Sequence, residues 1–128
     1  MLNNSFFSLL SSEQLPADPG NFSLKFIIGL HAGHPIFGGH FPGSPVVPGV
    51  CQIQMIHELL EGYLQMPLRL ILSDQIKFLR MIDPGKVPEL EVNLRFRRNH
   101  DLNVDVNATI MAGSNTFLKF KGQFSPTP

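Results

Sequence analysis

The stretch GHFPGSPVVPGVCQIQMIHELLEGYLQ, residues 39–65, decides the fold. Its first twelve residues hold three prolines and three glycines, and the next fifteen hold no proline at all. Proline suits the first turn of a helix, where a missing N–H would have had no partner. Pro48-Gly49 therefore opens a helix expected over Val50–Gln65. On a 3.6-residue wheel, Ile53, Ile56, Leu59, Leu60, Tyr63 and Leu64 cover a wide arc, which Cys51 and Met55 widen further. Gln54, His57, Glu58 and Glu61 crowd into the remainder, and Gln52 is a polar residue inside the apolar arc. A helix so apolar around its circumference is wrapped by other structure rather than laid on a surface.

The flanks supply the wrapping. Phe6–Ser11 is read as a first strand, followed by a break at QLPADPGN. Ser23–His31 alternates, with Leu24, Phe26, Ile28 and Leu30 on one face. Residues 32–49 form a turn-rich loop. After the helix, Arg69–Met81 leads to a Pro84-Gly85 turn. Glu89–Arg97 and Leu102–Ile110 alternate cleanly, Gly113–Asn115 makes a hairpin turn, and Phe117–Phe124 closes the pattern before a tail, SPTP, expected to be loose. Antiparallel strands with one apolar face need a cover, and the single helix supplies it. The expected architecture is α+β, an antiparallel sheet curled around one long central helix, within a single domain spanning residues 1–128.

Composition narrows the function classes. The 128 residues are 43% hydrophobic and 16% charged, enough for a folded core. Ten basic residues balance ten acidic ones, so net charge gives no reason to expect nucleic-acid binding, and neutrality leaves association open. One cysteine excludes an intrachain disulfide and points to a reducing, cytoplasmic compartment. MLNNSFFSLLSS lacks a basic leader and reads as strand, not signal peptide. No apolar run approaches the ~18 residues of a membrane span.

A helix N-terminus offers unpaired N–H groups and a partial positive charge. Gly49, lacking a side chain, lets a ligand approach that backbone closely. A thioester carbonyl placed there would be polarised, and an enolate formed from it stabilised. His40 lies nine residues earlier, in a segment stiffened by Pro42, Pro45 and Pro48, and imidazole suits proton transfer near neutral pH. Together they make a site for removing a proton next to a carbonyl.

GHFPGSPVVPGV resembles the GHFPxxPxxPGV signature of the β-hydroxyacyl-acyl-carrier-protein dehydratases, at Gly39, His40, Phe41, Pro42, Pro45, Pro48, Gly49 and Val50. The resemblance implies the hotdog fold, a homodimer with the possibility of a larger oligomer, and no cofactor. It implies His40 as catalytic base and the Gly49 N–H as donor to the thioester carbonyl. It also implies an acidic residue on the helix, five positions after the motif glycine, where this chain carries Gln54. The aromatic–proline–aspartate stretch common early in that family is absent as well. An amide orients water or hydroxyl but supplies no proton at neutral pH. Three readings stay open: His40 acts as both base and acid, Glu58 or His57 substitutes, or the protein binds acyl thioesters without dehydrating them.

The implied reaction is dehydration of 3-hydroxyacyl thioesters, carried on acyl carrier protein or coenzyme A, to trans-2-enoyl thioesters in fatty-acid or polyketide-like biosynthesis. The alternatives are a catalytically weak acyl-binding partner subunit and a hotdog thioesterase. Phe37, Phe41, Pro48 and Val50 are the candidate substrate-binding residues. His31, His34 and His40 are spaced like a loose ligand set, but no Cys or carboxylate lies beside them, and no metal site is expected. Cys51 reads as a small core residue. Glu61, and Glu58 outside any catalytic duty, read as a polar stripe. Arg95 and Arg97 read as a solvated strand face on which an acidic carrier protein could also dock. Phe26, Phe96, Phe120 and Phe124 read as core.

Overall fold

The computed structural model describes residues 5–36 and 46–127. Strands β1 (Phe7–Leu15) and β2 (Phe22–Leu30) precede helix α1 (Gly49–Leu64), and β3 (Leu68–Phe78), β4 (Glu89–Arg98), β5 (Val104–Ala112) and β6 (Asn115–Pro126) follow it. The six strands form one sheet in the order β1-β2-β4-β5-β6-β3, every neighbouring pair antiparallel. The α+β order read from the sequence is the one observed.

The register explains why one helix suffices. Leu24 faces Leu94, Phe26 faces Val92 and Ile28 faces Leu90, so the inward residues of β2 and β4 lie side by side. Leu94 faces Ala108 and Phe96 faces Val106 across β4 and β5, and Ala108 faces Phe120 across β5 and β6. Directly opposed residues share a face, so these rows make one continuous apolar surface. Against it α1 buries Cys51, Met55, Ile56, Leu59 and Leu60. Phe26, Phe96, Phe120 and Phe124 all lie in this core, as expected. Fully burying a side chain of this size contributes about 1.5–3 kcal/mol, so the helix is held chiefly by its apolar face. Its last turn ends at Gln65, which takes a left-handed conformation (φ 55°) and donates its N–H to Glu61 O.

Several boundaries differ from the sequence reading. β1 runs on to Leu15, past the expected end at Ser11, because its outer residues pair with β2 although their side chains are exposed. β3 stops at Phe78, short of Met81. The C-terminal tail is not loose: Ser125 and Pro126 pair with Arg69 and Leu68, and the Thr127 N–H donates to Pro67 O at 3.1 Å. Backbone pairing without apolar alternation leaves no periodic signal to read. Deleting residues 125–128 is therefore expected to lower the melting temperature by several degrees, read by circular dichroism. An unchanged melting curve would show that this end contributes nothing.

No helix among the described residues is long and apolar enough to cross a membrane.

Candidate active site

The start of α1 is fixed from two sides. The Val47 N–H donates to Ile82 O at 2.8 Å, tying the approach to the helix onto the segment after β3. Val47 O in turn accepts from Gln52 Nε2 at 3.2 Å. Gln52, the polar residue inside the apolar arc, is 3% exposed, and its Oε1 has no hydrogen-bond partner. With Val47 clamped, Pro48 takes φ −60° and ψ 148° and serves as N-cap without a side-chain cap. Pro48 O accepts from the N–H groups of Cys51 (3.0 Å) and Gln52 (3.2 Å). That leaves the Gly49 and Val50 N–H groups with no acceptor among the described residues, aimed out of the helix end where the partial positive charge is greatest.

Gly49 is glycine for a spatial reason. A Cβ placed there would sit 2.7 Å from Phe78 Cζ, with two further ring carbons at 3.1 and 3.3 Å. The end of β3 thus presses the tip of an aromatic ring against the helix start. Phe78 is 52% exposed, and Leu79, Met81 and Val50 add exposed apolar surface near the same end. The sequence reading did not find Phe78, because nothing local marks a strand residue whose partner lies 29 positions away.

The polar arc of α1 divides into two pairs. Gln54 Nε2 donates to Glu58 Oε2 at 2.9 Å, and both side chains are half-buried. His57 turns the other way: its Nε2 lies 2.7 Å from Leu68 O and 3.4 Å from Glu61 Oε2. Glu61 Oε2 also accepts the Leu68 N–H at 2.7 Å. His57 and Glu61 therefore join the helix to the first residue of β3. This corrects the reading of His57 as a substitute acid. The two residues sit on one helical stripe, but His57 faces the sheet junction while Glu58 faces Gln54.

The other candidates sort as follows. Pro48 is half-buried as the N-cap, and Val50 projects outward, 76% exposed. His40, Phe37 and Phe41 lie outside the described residues. His31 places Nε2 2.7 Å from Ser8 Oγ and Nδ1 2.8 Å from Ser5 O, so both ring nitrogens serve the packing of β1. His34 Nδ1 accepts the Ile36 N–H. Cys51 is buried in the core, and burial pushes its thiol pKa up, which suits an inert residue. Arg95 is exposed on the outer sheet face, and Arg97 lies 3.9 Å from Asp105.

Known proteins resemble this chain in sequence and in fold. Residues 17–116 match the family model described as ApeI-like, ApeI dehydratase. The chain is 32% identical over 104 residues to a 3-hydroxyacyl-[acyl-carrier-protein] dehydratase FabZ from Wolbachia pipientis wMel, covering 73% of this chain and 70% of that one. In shape it resembles the dehydratase heterocomplex ApeI:P from Xenorhabdus doucetiae (TM-score 0.62, 18% identity, 91% and 95% of the two chains). It equally resembles the putative thioesterase yhdA from Lactococcus lactis (TM-score 0.64, 7% identity, 94% and 92%). At such identities shape speaks for the fold and does not separate the two chemistries.

Proposed function

The chain belongs to the ApeI-like dehydratase family and has its hotdog fold, and from that premise we propose that it removes water from 3-hydroxyacyl thioesters. The product is the trans-2-enoyl thioester, in a fatty-acid or polyketide-like biosynthetic route in the cytoplasm. The acyl group arrives on acyl carrier protein or coenzyme A. The observation that carries this reading is the clamped helix start, whose Gly49 N–H has no acceptor among the described residues and whose Cα faces the tip of the Phe78 ring.

The roles follow from the chemistry. The Gly49 N–H holds the thioester oxygen, where charge collects as the α-proton leaves. His40 takes that proton. Gln54 positions the departing hydroxyl or water with its amide. Pro48, Val50, Phe37 and Phe41 form the surface met by the acyl chain. Nothing in this set calls for a cofactor. The first turn of α1 carries no acidic residue, which weighs against the thioesterase alternative, since hydrolysis there needs a carboxylate to activate water.

A homodimer completes the reading. β3 is an edge strand, and Ile71, Leu72, Ile76, Phe78 and Leu79 are each 40–52% exposed along it and just beyond. An edge this apolar invites pairing with another strand. A second copy aligned there would bury it and bring two sites to one interface.

The test is direct. The purified protein is mixed with 3-hydroxyacyl thioesters of carrier protein and of coenzyme A, and enoyl absorbance and free thiol are followed together. Rising enoyl absorbance without thiol is expected. Thiol release alone would favour hydrolysis, and binding with neither would favour the accessory-subunit role.

A further inference from the structure

We propose that Gln52 is a positioning residue for the reaction: by engaging Val47 O it keeps the Gly49 and Val50 N–H groups free for the thioester oxygen. The inference rests on the dehydratase reading above. Burial alone does not select this side chain. Gln52 lies on the apolar arc with Cys51, Met55 and Ile56 at 3% exposure, and its Oε1 is buried without a partner. A carbonyl oxygen in that condition is a cost that methionine, of similar size, would not carry. What glutamine adds is a donor, and Nε2 gives its hydrogen to Val47 O, five residues back and outside the helix.

Val47 O is an acceptor the helix would otherwise claim. In an α-helix it would accept the Cys51 N–H, and in a 3₁₀ turn the Val50 N–H. It accepts neither. Pro48 is extended at ψ 148°, and the Cys51 and Gln52 N–H groups close the first turn onto Pro48 O instead, at 3.0 and 3.2 Å. A side chain that takes a backbone partner competes with helix formation at that point. Here the competition starts the helix at Gly49 and leaves two N–H groups without acceptors among the described residues.

Without the Gln52 donor, the oxygen of buried Val47 needs another. The Val50 and Cys51 N–H groups come within reach when Pro48 turns to a helical ψ, and its φ of −60° already suits a helix. That turn rotates the Pro48–Gly49 peptide, so the Gly49 N–H is re-aimed even though it gains no bond. The bond from the Val47 N–H to Ile82 O holds the other side of the residue and does not prevent this rotation, which lies beyond Val47.

The test uses the full-length protein and a 3-hydroxyacyl pantetheine thioester, with kcat, KM and melting temperature measured for wild type, Gln52→Met and Gln52→Glu across pH. Gln52→Met keeps size and burial but removes the donor. It exchanges one unpaired buried oxygen, Oε1, for another, Val47 O, so its melting temperature should stay within a few degrees of wild type. Its kcat should fall about 10–10²-fold with KM little changed, because the lost alignment matters where charge develops. A side chain that only packs the core would shift melting and leave kcat alone. Gln52→Glu has the shape of glutamine but donates only when protonated, and burial raises a carboxyl pKa. Its rate relative to wild type at the same pH should therefore rise as pH falls from about 8 to about 5. A Gln52→Met kcat lowered by less than about 10-fold would overturn the assignment and leave dehydration intact. Should that variant melt below the assay temperature, Gln52→Glu decides alone, and a relative rate flat across the pH range overturns the assignment equally. A wild type that makes no enoyl product would remove the parent reading and this one together.

Discussion

Gly49→Pro is expected to lower the kcat for dehydration by about 10²–10³-fold, whereas Gly49→Ala should cost far less. Both substitutions add a Cβ at the point 2.7 Å from Phe78 Cζ. Phe78 is a half-exposed side chain at a strand end, so its ring can swing aside in either variant. Only proline also deletes the N–H. The helix itself does not need that group: Gly49 is its first residue, and the first turn closes through Cys51 and Gln52 onto Pro48 O. Pro48, at ψ 148°, already has the extended conformation required of a residue before proline. The difference between the two variants therefore isolates one hydrogen-bond donor, the one proposed above to hold the thioester oxygen. Circular dichroism should show the helix retained in both. Equal kcat values for Gly49→Pro and Gly49→Ala would mean the thioester oxygen is held elsewhere.

How much of this arrangement could be read beforehand depended on whether the signal was local. α1 came within one residue at each end, because Pro48-Gly49 punctuates its start and the apolar wheel carries through Leu64. β4 also matched closely, since Leu90, Val92, Leu94 and Phe96 alternate into a core that needs them. The ends of β1 and β6 were missed because Gln14, Ser125 and Pro126 pair through backbone alone. Within the site, the stripe holding Gln54, His57 and Glu58 was legible, but its division was not. At about 100° per residue, position 57 falls about 60° to one side of position 54 and position 58 about 40° to the other. That difference sends His57 to Leu68 O and Glu58 to Gln54. The pressing of Phe78 on Gly49, and the clamping of Val47 by Ile82 and Gln52, are tertiary contacts with no trace in the periodicity.

Gly122→Ala tests the other close approach made by a glycine among the described residues and should destabilise the sheet markedly. Gly122 is buried in β6 opposite Val106, and it pairs with Ser73 on β3. A Cβ there would lie 2.5 Å from Leu72 O and 2.8 Å from Phe120 Cζ. Phe120 is packed in the core at 3% exposure, and Leu72 O is backbone, so neither can rotate away as Phe78 can. Leu72 stands between two register shifts in the β3–β6 pairing, which is how its carbonyl comes to lean over β6. Relieving the overlap means pushing β3 off β6, its one partner strand among the described residues. Overpacking of this kind costs about 1–3 kcal/mol, and a melting temperature lowered by roughly 10 °C is expected. Gly62→Ala is the matched control, since Gly62 lies exposed within α1 with nothing within 4 Å of an added Cβ. It should gain about 0.5–1 kcal/mol from helix propensity. Because β3 ends at Phe78, displacing it should also disturb the helix start, so Gly122→Ala should raise KM for the thioester as well. A Gly122→Ala protein that melts at or above the wild-type temperature would show that β3 yields freely, and with it that Phe78 is not held against Gly49.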